Sequence, residues 1–156
     1  MKKALWLLIL ALATGLIAAG CGDDDDDGGN GGGDGGEALT KQEFITQADR
    51  ICSEGNAEIE GDAEDAFGDS DQPPSQAEQE QFATDSVIPN VQNQVDRIGE
   101  LEPPEGDEDQ IQAILDAANE GLDAGRDDPS AFAGQGDPLA EATQLAKQYG
   151  MKVCGS

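Results

Sequence analysis

At Cys21 this 156-residue chain passes from one physical regime to another. Residues 4–19, ALWLLILALATGLIAA, carry no charge, whereas residues 22–37 hold seven acids, eight glycines and one asparagine. The junction limits what the chain can fold into. An Asp/Gly run has no apolar surface to offset the conformational entropy of ordering, so it stays solvated. A folded domain is therefore expected only over residues 40–156, behind a disordered linker at 21–39.

Lys2 and Lys3 precede the apolar run as a short positive segment. The run has the length of an export-signal core and is short for a hydrocarbon layer roughly 30 Å thick. It also lacks the positive flank that normally arrests a membrane span. Ala18, Ala19 and Gly20 stand immediately before Cys21, small residues of the kind a signal peptidase requires. On these residues the N-terminus resembles the lipobox of bacterial lipoproteins, with Ala18 where that family most often has Leu. The resemblance implies a signal peptide at 1–20 that is removed and a lipid on the sulfur of Cys21. It also implies an anchored protein on the extracytoplasmic face of the membrane. An ordinary secreted protein cut near Ala19 and an uncleaved membrane anchor are the alternatives. Two or three acyl chains would hold stably, at about 0.8 kcal/mol per buried CH₂.

The 16 residues from Gly22 to Glu37 reach at most roughly 55 Å and average about 20–24 Å as a coil. Repulsion within Asp23–Asp27, and from anionic lipid, favours the extended end. Asp23, Asp25, Asp27, Gly28 and Asp34 match positions 1, 3, 5, 6 and 12 of a calcium-loop template. Flanking helices are absent from the pattern, position 8 is Asn30, and position 12 is Asp rather than Glu. A solvated tether with weak, unspecific cation attraction is the expectation.

Charge narrows the partners. The chain has 34 acids against eight Lys and Arg, and two of those bases, Lys2 and Lys3, lie in the leader. Nucleic acid is not expected as a partner, because phosphate binding needs clustered Lys and Arg. A basic protein or loosely held cations are compatible with such charge.

Within 40–156, Leu, Ile, Val and Phe number 20 of 117 residues, a thin supply for a core. Periodicity and capping nevertheless point to helices. Thr40 with Glu43, and Ser75 with Glu78, have capping-box spacing. Behind the first box Phe44, Ala48, Ile51, Cys52, Ile59, Ala63 and Phe67 recur at helical spacing, with Gly55 and Gly61 weakening the stretch. Behind the second come Phe82, Val91, Val95, Ile98 and Leu101, with a kink or split expected near Ile88 from Pro89 and a stop at Pro103-Pro104. Asp107 with Gln110 opens a third stripe, Ile111, Ile114, Leu115, Ala118 and Leu122, ending near Gly125. Asp127-Asp128-Pro129 suggests a brief turn through Phe132. Asp137-Pro138 reads as an N-cap with Pro at the first helical position, followed by Leu139, Ala142, Leu145, Ala146 and Tyr149, and Gly150 suits a left-handed stop. No sheet-like alternation of useful length is present. The expected fold is all-α, a small up-down bundle of about four amphipathic helices; an ensemble of partly formed helices is the alternative.

Three cysteines are an odd count for an exported chain. If Cys21 carries lipid, Cys52 and Cys154 remain, and export permits a disulfide between them. Free thiols or a redox pair are the alternatives, the latter without a CxxC or any His to support it. The segments EFITQADRICSEGNAEI, IPNVQNQVDRIGELEPPEGDEDQIQAILDAANEGL and LAKQYGMKVCGS resemble small acidic exported lipoproteins of high-GC Gram-positive bacteria. In those, a Cys near the domain start and a Tyr-Gly…Cys-Gly ending recur. The resemblance covers most of residues 40–156, implies no activity, and favours both the Cys52–Cys154 pair and an envelope location.

The inventory for catalysis is thin. Without His there is no Ser-His or Cys-His relay and no imidazole metal site, and the Gly-rich run lacks the strand-turn-helix setting of a phosphate loop. Asp62, Glu64 and Asp65, then Asp69 and Asp71, then Asp107, Glu108 and Asp109, and finally Asp127 and Asp128 are acid clusters that serve more often as caps and solvated turns than as calcium sites. No enzyme, cofactor or specific metal site is expected. The functional expectation is a lipid-anchored envelope protein with a non-enzymatic helical interaction or structural domain; an extracytoplasmic ligand or cation binder is the alternative.

Overall fold

A computed structural model describes residues 38–68, 72–134 and 136–156. The expected signal peptide, Cys21, the linker through Glu37 with its calcium-like pattern, and the Asp69/Asp71 cluster lie outside the described residues. The described chain is all-helical, without strands. Helix α1 spans Lys41–Phe67, α2 Gln76–Phe82, α3 Ile88–Gly99, α4 Glu108–Asp127 and α5 Ala140–Tyr149.

Both capping boxes form as the sequence implies. The Thr40 hydroxyl accepts from the Glu43 amide while the Glu43 carboxylate accepts from the Thr40 amide, and Ser75 and Glu78 do the same. Orphan amides at two helix starts are thereby satisfied. Between α2 and α3 the backbone takes one π-helical turn, Ala83–Val87, and α2, this turn and α3 form one uninterrupted rod. The expected disruption near Ile88 takes this form. Pro89 lacks an amide proton and its ring crowds the carbonyl one turn back; a wider turn just before it absorbs the conflict without breaking the rod.

Three boundaries differ from expectation. Helix α3 ends at Gly99, before Leu101 and the Pro103-Pro104 pair. Helix α4 runs past Gly125 to Asp127, because Gly125 sits against the Phe132 ring, which a Cβ there would strike. The helix stops at Asp128, whose extended backbone is the conformation a following proline imposes. A 3₁₀ turn, Pro129–Ala131, then leads to Phe132, as anticipated. Helix α5 starts at Ala140 rather than at Pro138. Asp137 still initiates it, but as a turn: its Oδ1 accepts from the Leu139 amide at 3.1 Å and its carbonyl from Ala140 at 3.2 Å. At the other end Gly150 adopts φ 115°, the left-handed stop.

The four rods are consecutive antiparallel neighbours, an up-down-up-down bundle. Arg97 meets Glu54 at 2.6 Å and Asn90 meets Glu58 at 2.8 Å, which orients α3 against α1. Gly121 of α4 packs so closely on the Pro138 carbonyl that a Cβ has no room. Phe44 and Tyr149, 6.1 Å apart and edge to face, bring α5 back to α1.

The core forms two layers. One gathers Phe44, Ile51, Ile98, Ile111, Tyr149 and Met151 near the N-terminal end of α1; the other gathers Ile88, Val95, Ala118, Leu122 and Ala142, and Leu115 touches both. Beyond Gly55 no residue of α1 is buried. Ile59, Ala63 and Phe67 are only partly buried, Phe67 against the edge of Phe82 at 5.2 Å.

Cys52 and Cys154 form a disulfide, with Cα atoms 5.4 Å apart across a sequence separation of 102. It fastens the C-terminal segment to the middle of α1.

Candidate functional site

Between α1, α3, α4, α5 and the C-terminal segment lies a cavity of about 160 Å³. Its walls are mostly apolar: Val95, Ile98 and Leu115 on one side, Ala142, Ala146 and Met151 on the other, with the disulfide as a further wall. No charged side chain lines it. The small alanines of α4 and α5 create the space, because their methyls do not reach across the bundle. Asn56 and Ser156, both exposed, mark the rim. A wider depression beside Thr84, Ile88, Pro89, Gln92 and Arg126 is a surface feature without comparable walls.

Thr143 and Gln94 interrupt the apolar wall, and Gln94 is the buried one. Gln94 is only 6% exposed and lies on the same face of α3 as Val91, Val95 and Ile98. Its Nε2 donates to Asn90 Oδ1 at 2.7 Å, and Asn90 Nδ2 donates to Glu58 Oε2 at 2.8 Å. Gly55 makes this arrangement possible, since a Cβ at that position would run into the Gln94 amide and Asn90 Oδ1.

The cavity's outer wall is held by a latch. Asp49 Oδ1 accepts from the backbone amides of Lys152, Val153 and Cys154 at 3.0, 2.9 and 3.2 Å, and Oδ2 also accepts from Lys152 at 2.9 Å. Charge-assisted bonds of this kind are roughly twice as strong as neutral ones. Together with the disulfide they fix a segment that has no regular helix.

A second polar contact lies at the same end of the bundle. The Tyr149 hydroxyl donates to Asp107 Oδ2 at 2.8 Å, and Lys41 Nζ lies 3.5 Å from the same oxygen and 3.8 Å from the centre of the Tyr149 ring. Burial, and then the Asp107 carboxylate that accepts its proton, push the Tyr149 phenol well above the ordinary tyrosine range.

The acid clusters disperse into structural roles. Asp62, Glu64 and Asp65 are exposed on the outer part of α1. Asp107 is committed to Tyr149, while Glu108 and Asp109 face solvent in the first turn of α4. Asp128 Oδ1 accepts from the Ser130 amide and hydroxyl, a local cap, and Asp127 is exposed. Among the described residues no three His, Cys, Asp or Glu side chains converge as a metal site would need. No described helix is long and apolar enough to cross a membrane.

Sequence reasoning did not find the cavity, Gln94 or the Asp49 latch. Gln94 had a readable signal, a polar side chain on the apolar stripe of Val91, Val95 and Ile98. Asp49 had none, because its amide partners are over a hundred residues away. Compared with protein-family models, curated proteins and solved structures, the chain has no match.

Proposed function

We propose that this is a lipid-anchored lipoprotein of the bacterial cell envelope, held on the extracytoplasmic face of the membrane, whose helical domain is a non-enzymatic interaction or structural module. The observation behind this reading is the distribution of the three cysteines. Cys52 and Cys154 are paired with each other, and disulfides of this kind persist in oxidising compartments outside the cytoplasm. The third, Cys21, ends an uncharged run and follows Ala-Ala-Gly, where a lipobox cysteine would stand.

On this reading the Asp/Gly segment is a tether that holds the bundle off the membrane, and the acidic domain suits a basic protein partner. The test is fractionation. The wild type is expected in the detergent-soluble membrane fraction, and Cys21→Ser in the soluble one. Unchanged membrane retention of Cys21→Ser overturns the anchor.

A second reading, that the domain holds a ligand, is supported by the central cavity. Its cation form has no equivalent support from the described acids.

A further inference from the structure

We infer that the central cavity binds a compact, uncharged molecule with an apolar body about one ring in size and one hydrogen-bond donor, the donor meeting the carbonyl oxygen of Gln94. This deepens the ligand reading and does not depend on the anchor. Membrane fractionation tests the anchor and titration tests the cavity, so either can fail alone.

Size and lining set the first limits. A dry apolar cavity near 150 Å³ holds benzene, and the present one has about 160 Å³. Drug-sized ligands need roughly 300 Å³ or more, which excludes them. With no charged side chain in the wall, a charged ligand would lose its hydration without a side-chain partner.

The polar requirement follows from a chain of donors. A carboxylate only accepts, so Glu58 obliges Asn90 to turn its NH₂ group outward. Asn90 then presents its oxygen to Gln94, and Gln94 must answer with its own NH₂. The Gln94 carbonyl is left over. No side chain among the described residues donates to it, yet no side-chain polar atom is sealed away without a partner. That oxygen therefore opens onto space, and Gln94 lines the cavity. An acceptor that opens onto space is served by water, and a hydroxyl or N–H on the occupant can replace that water bond for bond.

The full chain, purified with its disulfide intact, is titrated with phenol, benzene and benzoate by calorimetry or ligand-observed NMR. Phenol is expected to saturate, benzene to bind about fivefold more weakly for the missing hydrogen bond, and benzoate not to bind. Gln94→Met keeps the length and removes the acceptor, so phenol falls to the level of benzene while benzene is unchanged. Ala118→Leu fills the space and abolishes both; if it does not fold, Ala146→Val serves. Phenol and benzene that fail to saturate by millimolar concentration, or that bind the filled variant as before, overturn the site. A phenol preference that survives Gln94→Met overturns the role of Gln94.

Discussion

Tyr149 donates its hydroxyl to Asp107 Oδ2 at 2.8 Å, tying the last turn of α5 to the first residue before α4. The phenol is neutral in the fold and resists ionisation, through burial first and the Asp107 carboxylate second. A group whose pKa is raised by folding contributes stability in full below its unfolded pKa, about 10 for tyrosine. That contribution is lost as pH rises beyond it. Tyr149 is the only tyrosine in the chain, which makes its absorbance a clean probe. Phenolate absorbance is expected to rise only together with loss of helical circular dichroism. A phenolate band at the ordinary tyrosine pH in a fully helical protein contradicts the contact.

Two glycines of α1 should respond in opposite directions to alanine. Gly55→Ala drives a methyl into the Gln94–Asn90 pair and is expected to destabilise by about 1–3 kcal/mol, the usual penalty for overpacking. A Cβ on Gly61 meets nothing, so Gly61→Ala should stabilise by about 0.5–1 kcal/mol through helix propensity. Urea unfolding of the two variants gives both signs; a Gly55→Ala that is neutral or stabilising refutes the packing described for Gly55.

How much of this was legible in the sequence divides along one line. Features set by local chemistry were readable: the Thr40 and Ser75 caps, the left-handed Gly150, and the stripe from Ile111 to Leu122. Features set by distant neighbours were not. Gly55 looks like a weak point in a helix until Gln94 is placed against it. Ile59, Ala63 and Phe67 continue the stripe of α1, yet they are only partly buried and lie outside both core layers. The start of α5 slid from Pro138 to Ala140 because Asp137 closes a turn first. The Cys52–Cys154 pair was legible by counting, once Cys21 had been set aside.

The C-terminal segment has two fastenings, and they should be coupled. Removing the disulfide by Cys52→Ala with Cys154→Ala is expected to cost about 2–5 kcal/mol. Asp49→Ala leaves three backbone amides without their acceptor and should cost about 1–3 kcal/mol. Since both hold the same residues, the triple variant is expected to depart from additivity by 0.5 kcal/mol or more, about the size seen for residues in contact. Strict additivity in denaturant melts indicates independent roles. Faster hydrogen exchange at Val153 in Asp49→Ala checks the latch directly.

The caps predict acid sensitivity. The Thr40 hydroxyl, then the Thr40 amide, hold the Glu43 carboxyl below the usual glutamate range, and Ser75 does the same for Glu78. A lowered pKa gives stability that is present above the unfolded value, about 4.3, and is lost as pH falls below it. Glu43→Gln with Glu78→Gln should therefore flatten the loss of stability on acidification below that pH. A double variant with the wild-type acid profile rules out the caps as its source.

Intact mass of the protein extracted from membranes tests the anchored, disulfide-closed arrangement most directly. The expected species begins at Cys21, carries acyl chains, and is two hydrogens lighter without reductant than with it. A species that retains residues 1–20, or that begins at Cys21 without lipid, contradicts the anchor, and an unchanged mass on reduction contradicts the Cys52–Cys154 bond.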